Sequence, residues 1–184
     1  MRAILYTRHD GGVTVTYPTQ EIFDVMSRGG YWSDRPRGFL QRQIELQISD
    51  GIDPDHARRF AYAVQFGGLS TAEVYDVIKD RDCSRHGHSF DLIDPAADLP
   101  GRWFRDAWAR GHNSGRVYVD MARARLIQET KIENAIADEN ARRRNSMQGL
   151  RPVAFDRLAI RTAIRNARDE EELRRVWPEQ LARH

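Results

Sequence analysis

The chain has 184 residues, with 29 Lys and Arg against 27 Asp and Glu for a net charge of +2, and a single cysteine. That length fits one ordinary domain with an appended helical unit, and the near-balanced charge argues against a surface built as a whole to hold nucleic acid. No run approaches the roughly 18 consecutive apolar residues of a spanning helix, the opening Met1 to Thr7 is too short and polar for a secretory signal, and lone Cys83 cannot close an internal disulfide, so a reducing, cytoplasmic setting with no membrane contact is expected.

From the N-terminus, two β-rich runs, Ala3 to Arg8 and Val13 to Tyr17, flank His9-Asp10-Gly11-Gly12, a strong hairpin signal. Pro18 cannot donate to a ladder and Thr19 can cap, so a short helix carrying Ile22, Phe23 and Met26 is expected, ending at Gly29-Gly30. After a loop through Tyr31, Trp32 and Pro36, apolar Leu40, Ile44 and Ile48 recur every four residues before Gly51, the pattern of a second helix. Asp53-Pro54 opens a third, with Ala57, Phe60, Ala61 and Val64 as its apolar stripe and Gly67-Gly68 as its stop. Ser70-Thr71-Ala72-Glu73 is a capping box, with Leu69 and Val74 placed as a hydrophobic staple, and starts a fourth.

Residues 80 to 97 are polar and irregular and read as a loop. A helix near Pro100 would carry Trp103, Phe104, Ala107 and Trp108 on one face, and Val117-Tyr118-Val119 would add a third strand to the hairpin. Asp120 caps a long helix to about Asn140, and Arg142-Arg143-Arg144 with residues 145 to 152 read as a linker. Leu158, Ala163, Ile164 and Ala167, then Asp169-x-x-Glu172 before Leu173, Val176 and Trp177, predict a helical hairpin that Pro178 ends or kinks. The expected fold class is α+β, predominantly helical, with a main domain over 1–144 and a C-terminal helical hairpin over 153–184.

Several residue groups invite chemistry. The segment 54–80 has the glycine and core spacing of a helix-turn-helix, but its second helix exposes Glu73, Asp76 and Asp80 against Lys79 alone, and carboxylates facing phosphates are costly. Cys83, His86, His88, Asp91 and Asp94 are metal-ligand types at a spacing that fits no standard zinc site, so no metal and no cofactor are expected. His112-Asn113 sits in a glycine-flanked loop with no identifiable partner, and no phosphate-cradling loop, nucleophile elbow or HExxH is present, so no catalytic residue is assigned. An enzyme in the Cys83 to His112 region would need His88 or His112 against a second titratable group in a cleft. Trp103 and Trp108, with Arg102 and Arg105 beside them, are the candidate partner-binding residues, since aromatics beside arginines anchor interfaces. Arg142, Arg143, Arg144 and Arg151 are the candidates for contact with nucleic acid.

Three segments, YTRHDGGVTV, DLPGRWFRDAW and VDMARARLI, resemble a group of small proteins encoded by bacteriophages and prophages of Gram-negative bacteria. The resemblance lies in the hairpin and in the Leu99 to Ile127 block, with residues 31 to 90 standing as an insertion relative to shorter members. It implies a phage context and transfers no catalytic residue. The function expected is that of a phage or prophage accessory protein working by protein–protein interaction, in virion or tail assembly or as an inhibitor of a host system, located in the host cytoplasm or the virion. The alternative is a nucleic-acid-binding regulator using the 54–80 segment or the basic C-terminal third.

Overall fold

The computed structural model describes residues 1–111, 115–145, 152 and 154–181. It has the α+β, predominantly helical character expected, and it divides into two compact units, Met1–Leu99 and Pro100–His184. No helix among the described residues is long and apolar enough to cross a membrane.

In the N-terminal unit, β1 (Ala3–Arg8) and β2 (Val13–Thr16) form the hairpin, in a register that sets Ile4 opposite Thr16 and Thr7 opposite Val13. Asp10 closes the turn by accepting from the Gly12 N–H at 2.8 Å, an Asx contact of the kind that makes Asp-Gly a turn former. The sheet's third strand is β3 (Gly87–Ile93), antiparallel to β1 in the order β2-β1-β3. This corrects the loop expected over 80–97. β3 is an edge strand buried only at Gly87 and Ile93, so it shows none of the apolar alternation by which a half-buried strand announces itself. It is attached through backbone hydrogen bonds to β1, which is buried from Ala3 to Tyr6, and through Phe90, whose ring lies 5.9 Å from that of Tyr6.

Three helices, the first, third and fourth of the unit, cover this sheet's core, and the second packs on the third. α1 (Gln20–Arg28) is capped by the Thr19 hydroxyl and buries Phe23 and Met26, as its periodicity predicts. α2 (Phe39–Ser49) follows, then α3 (Pro54–Phe66), whose first N–H groups are accepted by Asp53, and α4 (Thr71–Ile78), where Ser70 and Glu73 complete the capping box in both directions. Ile4, Tyr6, Phe23, Met26, Phe60, Val64, Val74 and Val77 share one core, and Ile44 with Ala57 and Ala61 joins α2 to α3. Residues 31 to 90 therefore build the unit's core along with the hairpin. A π-helical turn, Lys79–Cys83, leads into β3, and a single turn, α5 (Pro95–Asp98), ends the unit.

α1 and α3 meet end to end. Gly29 and Gly67 stop the two helices, and the chains then bond across: the Gly30 N–H donates to the Gln65 carbonyl at 2.7 Å and the Gly68 N–H to the Ser27 carbonyl at 2.9 Å. A Cβ on Gly29 would lie 2.5 Å from the Phe66 carbonyl carbon, and one on Gly67 would lie 2.4 Å from the Gly29 nitrogen.

In the C-terminal unit, residues Arg102–Ala107 form a 3₁₀ segment with a break at Phe104 (φ −111°, ψ 37°), in place of the helix expected there. β4 (Trp108–Arg110) and β5 (Val117–Val119) pair as a separate two-stranded sheet. The strand at 117–119 exists as expected, but its partner is β4 and not the N-terminal hairpin. Asp120 caps α6 (Met121–Arg144), which runs straight through the arginine triplet expected to open a linker. α7 (Arg157–Asn166) and α8 (Glu170–Arg175) complete the expected helical hairpin.

That hairpin is not separated from α6. Ala124, Gln128, Ile132 and Ile136 form a stripe of four-residue period on α6, and Ile164, Ala167, Leu173 and Leu181 share its core with Phe104. The boundary between compact units thus falls after Leu99 and not in the 145–152 stretch, because α6 buries its apolar face against the elements that follow it.

Candidate functional site

The C-terminal unit holds a groove of about 450 Å³ along the second half of α6. α6 contributes Lys131, Ala135, Asp138 and Arg142, three or four residues apart and hence on one face, while Trp103, Trp177 and Leu181 form the opposite wall.

Trp103 is fixed on every side. Its indole N–H donates to the Gln128 side-chain oxygen at 2.8 Å, and the Gln128 amide N–H in turn donates to the Val176 carbonyl at 2.7 Å. Gln128 is 0% exposed, and this pair of hydrogen bonds is what makes a buried amide tolerable. Trp177 meets Trp103 edge to face, with ring centroids 5.9 Å apart. The Lys131 ammonium donates to the Trp103 carbonyl at 2.8 Å and lies 4.1 Å from the ring centroid, and the Arg174 guanidinium is 5.3 Å from the same ring. Burial pushes the Lys131 ammonium's pKa down, against the pull of Asp106.

At the far end of the groove Glu139 accepts from the Arg142 Nε and Nη2, at 2.8 and 2.9 Å, and from the Arg143 Nε. These bonds, Arg142's first, lower its carboxyl pKa from 4.5 to about 2. A carboxylate whose folded pKa lies below its unfolded value stabilises fully above the unfolded value, and that contribution is lost as pH falls from about 4.5 through about 2. The Glu139 carboxyl carbon resonance is therefore expected to titrate near pH 2 in the folded protein and to move towards 4.5 in R142Q/R143Q; a wild-type midpoint above 4 would mean that the arginine clamp is not formed.

The charge of the chain is unevenly placed. The N-terminal unit has eleven Lys and Arg against fifteen Asp and Glu, a balance of −4, and the C-terminal unit eighteen against twelve, +6. Many of the C-terminal arginines already face carboxylates: Arg157 pairs with Glu133 at 3.0 Å, Arg161 with Glu129 at 2.7 Å, and Arg175 with Glu171.

Of the residues singled out in the sequence, Trp103 lines the groove, with exposed Arg102 and Arg105 on the same 3₁₀ segment. Trp108 is corrected from a surface anchor to a core residue: it is 2% exposed, and its indole donates to the Gly101 carbonyl at 3.4 Å. Arg142 and Arg143 are held by Glu139, Arg144 is exposed on the last turn of α6, and Arg151 lies outside the described residues. His112 and Asn113 also lie outside them.

The metal-ligand residue types do not converge. Cys83 is buried, its thiol 3.6 Å from the Thr16 hydroxyl and its pKa pushed up by burial; His86 accepts from Arg85; His88 sits on β3 across from Thr7, its ring 6.2 Å from that of His9. No group of three or more His, Cys, Asp or Glu suited to a metal ion occurs among the described residues. In the helix-turn-helix-like segment, α4 buries Val74, Tyr75, Val77 and Ile78 and presents Glu73 and Asp76 outward, with Lys79 drawn onto Asp76 at 2.8 Å. The face a recognition helix would offer to DNA is therefore acidic.

Sequence reasoning missed Gln128 and Lys131, since a Gln or Lys in a long polar helix has the look of a solvated residue. Comparison with family models, with curated proteins and with solved structures gives no match for this chain.

Proposed function

We propose that the chain is a non-enzymatic accessory protein that works by binding another protein, in the phage or prophage setting that its resemblance implies, as a virion or tail assembly component or an inhibitor of a host system. The observation that carries this reading is the Trp103–Trp177 pair standing in an open groove with charged residues at its rim. Tryptophan and arginine dominate interface hot spots because they bury large areas and still satisfy polar tips, and an apolar floor with a polar rim is the usual anatomy of a protein contact. The nucleic-acid alternative draws on the +6 charge of the C-terminal unit, which the carboxylate pairing of Arg142, Arg143, Arg157, Arg161 and Arg175 offsets.

The test is affinity capture of the tagged full-length chain from phage-infected cells, with and without nuclease, beside the variant N134Y. Asn134 is exposed and lines the groove, so tyrosine there obstructs the groove from the solvent side. A defined protein partner that survives nuclease and is lost in N134Y is the expected result. Partners that vanish on nuclease treatment, or nucleic acid itself, would transfer the assignment to a regulator, with affinity falling steeply as salt rises.

A further inference from the structure

Of the 29 Lys and Arg residues only two are lysines, Lys79 and Lys131, and a guanidinium does not give up its proton in a protein. Amine side-chain chemistry is therefore confined to two positions. We propose that Lys131 is a selective acylation site, at which a small acyl phosphate or thioester reacts in preference to Lys79, and that acylation there loosens the hold on Trp103.

The two amines have opposite surroundings. Lys79 donates to Asp76 at 2.8 Å and lies 3.6 Å from Asp80, and these carboxylates, the Asp76 bond first, raise its pKa. They hold its nitrogen as an ammonium, which has no lone pair to attack with. Lys131 has no carboxylate within ion-pair distance among the described residues; its Nζ donates to the Trp103 backbone carbonyl at 2.8 Å and sits 4.1 Å from the ring centroid. Asp106 pulls on it from further away, while Arg174, 5.3 Å from the same ring and facing Glu170, pushes against it. The groove lining itself is balanced, Lys131 and Arg142 against Asp138 and Glu139, with Glu139 held by Arg142 and Arg143. Burial decides the outcome and lowers the Lys131 pKa. A lysine desolvated beside another cation is the arrangement that makes an amine nucleophilic.

The groove supplies access and room. Lys131 lines a space of about 450 Å³ whose Trp103, Ala135, Trp177 and Leu181 wall presents carbon to a short acyl group. With an acyl phosphate, the amine lone pair attacks the acyl carbon, a C–N bond forms as the C–O bond to phosphate breaks, phosphate leaves with the electron pair, and water takes the amine's proton. Nothing is oxidised or reduced. The acyl-lysine keeps one N–H of three and no charge, so the Trp103 ring loses the cation 4.1 Å from its centroid while the Gln128 bond to the indole stays.

The experiment treats the full-length protein with acetyl phosphate at neutral pH, in native buffer and in concentrated urea, and quantifies acetylation at each lysine by mass spectrometry. In the native protein Lys131 is expected to react at least about fivefold faster than Lys79, because each unit of pKa between two amines changes the deprotonated fraction about tenfold. In urea the two rates are expected to converge. D106N is expected to raise the native Lys131 rate about twofold and R174Q to lower it by a similar factor, with Lys79 unchanged. In ¹⁵N-labelled K79R, where Lys131 is the lysine that remains, acetylation is expected to move the Trp103 indole N–H signal and leave that of Trp32 in place. Equal native rates, a faster Lys79, or a preference that persists unchanged in urea would each overturn the selectivity, and an unmoved Trp103 signal would overturn the loosening. None of these readouts needs a captured partner, so the inference stands or falls apart from the protein-binding reading.

Discussion

Replacing Gly29 or Gly67 with alanine is expected to cost the N-terminal unit about 3–5 kcal/mol, combining a backbone conformation nearly confined to glycine with overlap of main-chain atoms. Gly29 has φ 74° and ψ −169°, and Gly67 has φ 66° and ψ −153°. Each glycine, with the peptide group before it, occupies the space in which the other's Cβ would sit, within 2.4 to 2.7 Å of backbone nitrogen, carbon and oxygen. Backbone cannot rotate aside as a flexible side chain does, so relief requires α1 and α3 to separate at their ends, breaking the bonds from Gly30 to Gln65 and from Gly68 to Ser27. For a unit of this size the loss corresponds to roughly 15–30 °C in Tm. Gly51 supplies the control: it also has positive φ, at 83°, but a Cβ there meets nothing within 4 Å, so G51A is expected to cost only about 1 kcal/mol. Calorimetry of the three variants decides the matter, and a G67A transition coincident with that of G51A would show that the helix ends do not touch.

The second large effect is expected at Gln128. In Q128L the volume is nearly kept, but the Trp103 indole N–H and the Val176 carbonyl both lose their partner. At about 1–3 kcal/mol for each of the two polar groups left unsatisfied away from water, the C-terminal unit is expected to lose about 2–6 kcal/mol. The indole emission should shift to the red as Trp103 is released towards solvent. Urea unfolding followed by circular dichroism measures the first change and fluorescence the second. A stability change under 0.5 kcal/mol would mean that water replaces the amide without cost and that the bridge is not what holds the ring.

These two sites differ in how visible they are from the sequence. Glycine pairs at 29–30 and 67–68 are legible as helix stops, and so are the caps at Thr19, Asp53, Ser70 and Asp120, because each depends on atoms within three residues of itself. Asp169 caps α8 as expected, but Glu172 reaches back to the N–H of Arg168, one residue before the cap. That the two glycine stops touch each other is invisible, because it depends on how α1 and α3 cross. β3 escaped notice for a related reason: an edge strand held mostly by backbone bonds, with Phe90 and Ile93 its main apolar contacts, leaves little trace in its side chains. The run 117–119 was legible as a strand, while its pairing with Trp108–Arg110 was not.

The site shows the same division. Trp103 and Trp108 look alike in sequence, two indoles five residues apart beside arginines. Only the break at Phe104 and the start of β4 at Trp108 separate the ring that lines a groove from the ring that fills a core. Arg142 and Arg143 read as a basic tract until α6 continues through them and sets Glu139 one turn earlier on the same face.

Trp103 is tied at its indole nitrogen, at its carbonyl oxygen and over its ring. A side chain held in this way has little rotational freedom left to surrender when something lands on it. The groove is preorganised: the entropy of ordering its central aromatic is spent when the chain folds, so contact with a partner needs no rearrangement of that ring.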